Sequence, residues 1–162
     1  MIEEKLSEIC FAMESCDITD IGLMTGLSGV NVFLSTIKPK NFEKIIERNL
    51  ITILGQINNG FNGFSYCSGI AGFLWSIKYL INNKVIENKW ESVFEKLEPF
   101  LYQRMKLDLE RNQWDFLHSA IGIALMSLYL NSDSIINRFA NETIDALNSL
   151  GIIAMEVADY TK

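Results

Sequence analysis

Apolar residues along this chain recur mostly at spacings of three and four, the period of a helix with one buried face. Residues 3–13 predict a first helix with Leu6, Ile9, Cys10 and Met13 on one side. A connection spans 17–25. A second helix covers 26–37, through Val30, Val32, Phe33 and Leu34. Pro39 stops it, because proline lacks an N–H and biases the residue before it away from helix. Asn41 is placed to cap a third helix over 42–57, with Ile45, Ile46, Leu50, Ile53, Leu54 and Ile57 inward and Glu43, Lys44, Glu47 and Arg48 in water. The run Asn58-Asn59-Gly60-Phe61-Asn62-Gly63 breaks the chain most strongly.

The next helix, over 68–81, is apolar almost all round, which predicts burial. An amphipathic helix over 89–110 follows, with Pro99 expected to kink or split it. A turn at 111–113 leads to Trp114 and a further apolar helix over 120–130. Asp133 or Ser134 is placed to cap a last helix over 135–150, and 151–162 carries no clear pattern. Mixed-face and apolar helices thus alternate. Two layers explain the alternation: inner helices shielded all round, and outer helices with one face in water. The fold class expected is all-α, a partial α/α toroid of about three inner/outer helix pairs in one domain, 1–162.

A small-residue signature marks the inner helices. It reads Gly26-Leu27-Ser28-Gly29, Gly69-Ile70-Ala71-Gly72 and Ser119-Ala120-Ile121-Gly122, with starts 43 and then 50 residues apart. A period of that size signals a repeat architecture. Helix N-termini of this kind can take phosphate. No P-loop lysine follows any copy, so close packing of neighbouring backbones is the simpler reading.

Composition narrows the function classes. Hydrophobic residues make up 49% and charged ones 21%, a globular balance. The net charge is −6 with no basic stripe, which argues against nucleic acid as a partner. No apolar run reaches the ~18 residues of a membrane span, and the first ten residues lack the order of a signal peptide, so a cytoplasmic location is expected. Three cysteines, Cys10, Cys16 and Cys67, form no CxxC pair and suggest neither a disulfide framework nor a metal site. Cys10 and Cys16 read as small packing residues.

Candidate chemistry is sparse. Asp115 has the placement of an acid/base group, or of a carboxylate facing the positive end of a helix. His118, the single histidine, lies three residues on, where it can pair with Asp115 across a turn, or simply cap or pack. Trp75, Trp90 and Trp114 suit a cleft for sugar or peptide, though helical spacing favours the core.

The strings TGLSGVNVFL, FSYCSGIAGFLWSIKYL and WDFLHSAIGIALMSLYL resemble the N-terminal half of lanthionine synthetase C-like proteins, over residues 22–130. The resemblance implies an α/α toroid and a zinc-dependent peptide cyclase. In such enzymes a cysteine thiol adds across a dehydroalanine or dehydrobutyrine to give a thioether ring. Two cysteines and a histidine hold the zinc, and an aspartate and a histidine serve as acid/base groups. Asp115 falls where the family's catalytic aspartate lies, with Ser119 replacing the family's glycine. His118 does not match the catalytic histidine, and Cys67 matches no ligand motif. The zinc-ligand motifs have no counterpart in this sequence, so no cofactor is expected in this chain.

Three functional readings follow: a family portion, natural or truncated, that is not competent alone; a peptide- or protein-binding helical module; and a toroid glycosidase-like remnant. The last needs two carboxylates about 5–9.5 Å apart. An open arc also leaves inner-helix faces uncovered, which predicts a homodimer, most simply two-fold.

Overall fold

A computed structural model describes residues 2–15, 18–37, 39–129, 141, 142 and 145. Among them the chain forms α1 (Ile2–Ser15), α2 (Leu27–Ile37), α3 (Pro39–Asn58), α4 (Ile70–Asn82), a 3-10 turn (Asn88–Glu91), α5 (Ser92–Glu110) and α6 (Ala120–Tyr129). The fold is all-α, as the periodicity predicts.

The alternation of apolar and mixed helices becomes a layered arrangement. α4 packs between α2 and α6, making a row of inner helices. α3 lies on α2, and α5 lies on both α4 and α6. Fully buried Leu34 (α2), Ile46, Leu50 and Ile53 (α3), Phe73, Leu74, Ile77 and Leu80 (α4), Leu101 and Met105 (α5), and Ile123 and Met126 (α6) make one continuous core. Burying an aliphatic or aromatic side chain of this size contributes about 1.5–3 kcal/mol. A polar clamp lies within the apolar contact between α2 and α3. Asn49 Nδ2 donates to Asn31 Oδ1 at 2.9 Å, with both residues buried.

Three helices stop in the same way. After α3, α4 and α5 come Gly60, Lys84 and Asn112, all at positive φ. The next N–H reaches back five residues in each case: Phe61 to Gln56, Val85 to Leu80, and Gln113 to Asp108. This wrap satisfies carbonyls that a helix end otherwise leaves bare.

Several local expectations are corrected. Pro39 does follow the end of α2, but it also opens α3. A first-turn proline gives up only an N–H that has no helical partner there. Asn41 is therefore inside α3 rather than its cap. Pro99 does not split α5, which runs through it. Pro99 and Glu95, whose carbonyl loses the usual donor, both face water, where the loss is repaired by solvent. The interruption comes earlier, where the 3-10 turn meets α5. Ile9, expected inward, is 44% exposed, whereas Met13 of α1 packs against the core. The packing roles expected for Cys10 and Cys16 and the last helix over 135–150 lie outside the described residues, apart from helical positions at Asn141, Glu142 and Asp145.

Candidate functional site at the helix openings

The three inner helices begin with one turn, repeated. Numbering each opening from its first residue, position one is Gly22, Ser65 or Asp115. Position five is Gly26, Gly69 or Ser119. Position eight is Gly29, Gly72 or Gly122. In all three, the position-five N–H donates to the position-one carbonyl, at 3.1, 3.1 and 3.0 Å. At position eight a Cβ would stand 2.2, 2.0 or 2.0 Å from the carbonyl of position two. These glycines are therefore required first by their own turn, and only secondarily by a neighbouring helix.

Loops are tied to one another as well. Met24 N–H donates to Cys67 C=O, and Cys67 N–H donates to Leu117 C=O, both at 2.9 Å. Each is a position-three residue, so the openings form a ladder at one end of the inner row.

Asp115 caps its own turn. Its Oδ1 accepts the His118 backbone N–H at 2.6 Å, and the His118 ring Nδ1 lies 2.8 Å from the same oxygen. The ring contact needs the proton on Nδ1. These hydrogen bonds, the ring contact foremost, hold the Asp115 carboxyl below its ordinary pKa. Ser65 does the same job in the second opening, accepting the Ser68 N–H at 3.1 Å. Gly22 has no side chain to offer, and Asp20, two residues upstream, braces the first opening through other donors. Its Oδ1 accepts Gly22 N–H at 2.8 Å and its Oδ2 accepts Thr25 Oγ1 at 2.5 Å.

The spacing of three that lets Asp115 pair with His118 is realised at the surface, where the two are 58% and 64% exposed. The capping role of Ser65 is a further feature of the structure: Ser65 and Asp115 stand at the same place, four residues before the small residue that opens the helix.

Beside this rim runs a band of aromatic rings. Phe116 lies against Tyr66 (centroids 5.4 Å), Tyr66 meets the edge of Trp75 (6.3 Å), and Trp75 stacks between Tyr79 and Tyr129 (5.4 and 5.7 Å). Counting from position eight, Val32, Trp75 and Leu125 are three residues on, and Thr36, Tyr79 and Tyr129 are seven on. That is one stripe on each inner helix, exposed or half-buried throughout. Burial, with the Tyr129 hydroxyl nearby, raises the Tyr66 pKa. Trp90 is buried in the core, while Trp75 and Trp114 are half-buried against it. Cys67 is buried, with Ser65 Oγ at 3.9 Å and Ser68 Oγ at 3.6 Å from its sulfur.

A cavity of about 410 Å³ lies at the far end of α4, lined by Glu43, Glu47, Lys84, Glu87, Lys89 and Trp90. It belongs to the α4–α5 connection and not to the openings.

The family model for lanthionine synthetase C-like proteins matches residues 17–161. The chain belongs to the lanthionine synthetase C-like family. No curated protein and no solved structure matches it. The family is an α/α toroid, which accounts for the inner row and its outer helices. For this lanthionine synthetase C-like chain, zinc is the cofactor to test against the donor set. Among the described residues no three His, Cys, Asp or Glu side chains come together. The one described histidine is engaged with Asp115. The described residues thus assemble no donor set for a zinc ion. Among them, no helix is long and apolar enough to cross a membrane.

Proposed function

We propose that this lanthionine synthetase C-like chain holds a peptide against its aromatic stripe and does not form thioether rings by itself. The observation that carries the reading is the continuous band Phe116, Tyr66, Trp75, Tyr79 and Tyr129 beside the Asp115 rim. Rings that are exposed or half-buried and touch one another in edge-on, tilted and stacked pairs offer an apolar surface with polar edges, suited to an extended peptide. Asp115, with its lowered pKa, is a carboxylate at neutral pH. It suits the role of acceptor for a peptide N–H or ammonium better than that of a general acid, which needs a raised pKa. Family membership directs the reading toward peptide chemistry rather than toward the glycosidase alternative. The missing counterparts of the zinc-ligand motifs in the sequence underlie the proposed lack of independent cyclisation.

The test is a titration with a fluorescein-labelled synthetic peptide carrying one cysteine and one dehydroalanine, read by anisotropy and by Trp emission. Saturable binding, weakened several-fold in Tyr129→Ala, with no ring closure by mass spectrometry, is expected. Absence of saturation would remove the binding reading. Ring closure by the isolated chain would overturn the proposed lack of catalysis.

A further inference from the structure

The cavity at the end of α4 is built from three pieces of chain. Glu43 and Glu47 come from α3, Ile81 from the last turn of α4, and Lys84 to Trp90 from the segment that leads into α5. Its volume, about 410 Å³, lies in the range of small-molecule sites. Ile81, Val85 and Trp90 are buried and give it an apolar lining.

The charges around it fall into two sets. Lys89 is committed. Its Nζ lies 3.2 Å from Glu87 Oε2 and 3.8 Å from Glu47 Oε1, which ties this segment to α3. Lys84 and Glu43 are not committed: among the described residues neither makes an ion pair. An ammonium and a carboxylate, from different walls, thus border one cavity without answering each other.

Lys84 is also the odd residue among the helix stops. Gly60, Lys84 and Asn112 hold φ of 98°, 56° and 57°. Glycine has no Cβ to clash in this left-handed region, and asparagine tolerates it better than most side chains. Lysine has neither advantage, so the turn supplies no reason for lysine. The stop with the least suited residue is the one whose side chain borders the cavity.

We propose that this cavity binds a free α-amino acid with an apolar side chain. Lys84 Nζ takes the carboxylate, Glu43 takes the ammonium, and the side chain lies on Ile81, Val85 and Trp90. A zwitterion answers both charges at once. A simple anion would meet Glu43, and a simple amine would meet Lys84, in each case as a like charge. The cavity shares no residue with the aromatic stripe, so binding here is independent of peptide binding there.

Isothermal titration of the full chain with L-leucine tests binding, and amide NMR spectra locate it. Saturable binding is expected, with shifts concentrated at residues 84–90. Isocaproate and isoamylamine keep the apolar body and one charge each, and both are expected to bind about tenfold more weakly or worse. Lys84→Gly gives the helix stop its favoured residue, so the thermal midpoint is expected not to fall while affinity falls about tenfold. Glu43→Gln, at an exposed position, is expected to weaken binding to a similar extent. Absence of saturation, shifts confined to other segments, an analogue that binds as well as L-leucine, or undiminished affinity in Lys84→Gly would each overturn the proposal. None of these outcomes bears on peptide binding at the stripe.

Discussion

The second and third openings share a backbone turn and its last glycine, and two of their differences bear on the turn itself. At position one, Ser65 faces Asp115. At position five, Gly69 faces Ser119. The second opening makes two further backbone bonds: Ile70 N–H donates to Gly63 C=O at 2.9 Å, and Gly72 N–H donates to Ser65 C=O at 3.5 Å. The first opening makes the same pair, Leu27 to Asp20 and Gly29 to Gly22. Among the described residues, the third makes neither. The reason lies at position five, where a Cβ on Gly69 would stand 2.5 Å from Ser65 N and 2.6 Å from Gly63 O. Ser119 carries that Cβ, so its incoming segment at Gln113 cannot close to the same distance. The comparison separates two things. Small residues set the turn. The capping group can be serine or aspartate, so the turn itself does not demand the charge at Asp115.

The sharpest way to break this account is to fill position eight. Gly122→Ala or Gly72→Ala puts a methyl 2.0 Å from a backbone carbonyl, which cannot rotate aside. Alanine gains about 1 kcal/mol of helix propensity over glycine. A contact this short outweighs that gain, and a net loss of about 3 kcal/mol is expected in urea unfolding. A stable Gly122→Ala would mean the turn is not held by this approach.

Exchanging position five tests the difference between the openings. Gly69→Ser is expected to cost about 2 kcal/mol, because the second opening is closed around the missing Cβ. The reverse change, Ser119→Gly, should allow the two missing bonds to form and slow amide exchange at Ala120 and Gly122. Equal exchange in wild type and Ser119→Gly would contradict the assigned role of the serine Cβ.

Removing the serine cap is a smaller perturbation. Ser65→Ala leaves the Ser68 N–H without its acceptor and is expected to cost about 1 kcal/mol.

The smallest effect is pH-dependent. The folded Asp115 pKa lies below its ordinary value, so its contribution is present above the unfolded pKa of about 3.9 and fades as pH falls through the folded pKa. The stability difference between wild type and Asp115→Ser should therefore change only in that acidic window and be flat at neutral pH. Drift of the difference between pH 6 and 8 would point to another group.

Much of the architecture is legible in the order of the residues, because helical burial leaves a periodic trace. Ile46, Leu50 and Ile53 fall on one face of α3, and Leu101, Met105 and Leu109 on one face of α5. The openings are legible because steric need for a missing Cβ recurs as a small residue at fixed spacing. What was not legible depends on contacts between distant residues. The pairing of Tyr66 with Phe116, the stack of Trp75 between Tyr79 and Tyr129, and the ladder from Met24 to Leu117 arise only when loops far apart in sequence meet. Pro99 does not break α5, because Pro99 and Glu95 are exposed and solvent replaces the lost bond, and that exposure is a tertiary property.

The central claim is that Asp115 is present for what it binds rather than for the turn it caps. Asp115→Ser, measured side by side for unfolding free energy and for affinity toward the labelled peptide, tests this most directly. The account predicts a small loss of stability at neutral pH and a several-fold loss of affinity that exceeds it. Affinity unchanged, or lost only in step with stability, would show that the carboxylate serves the fold alone.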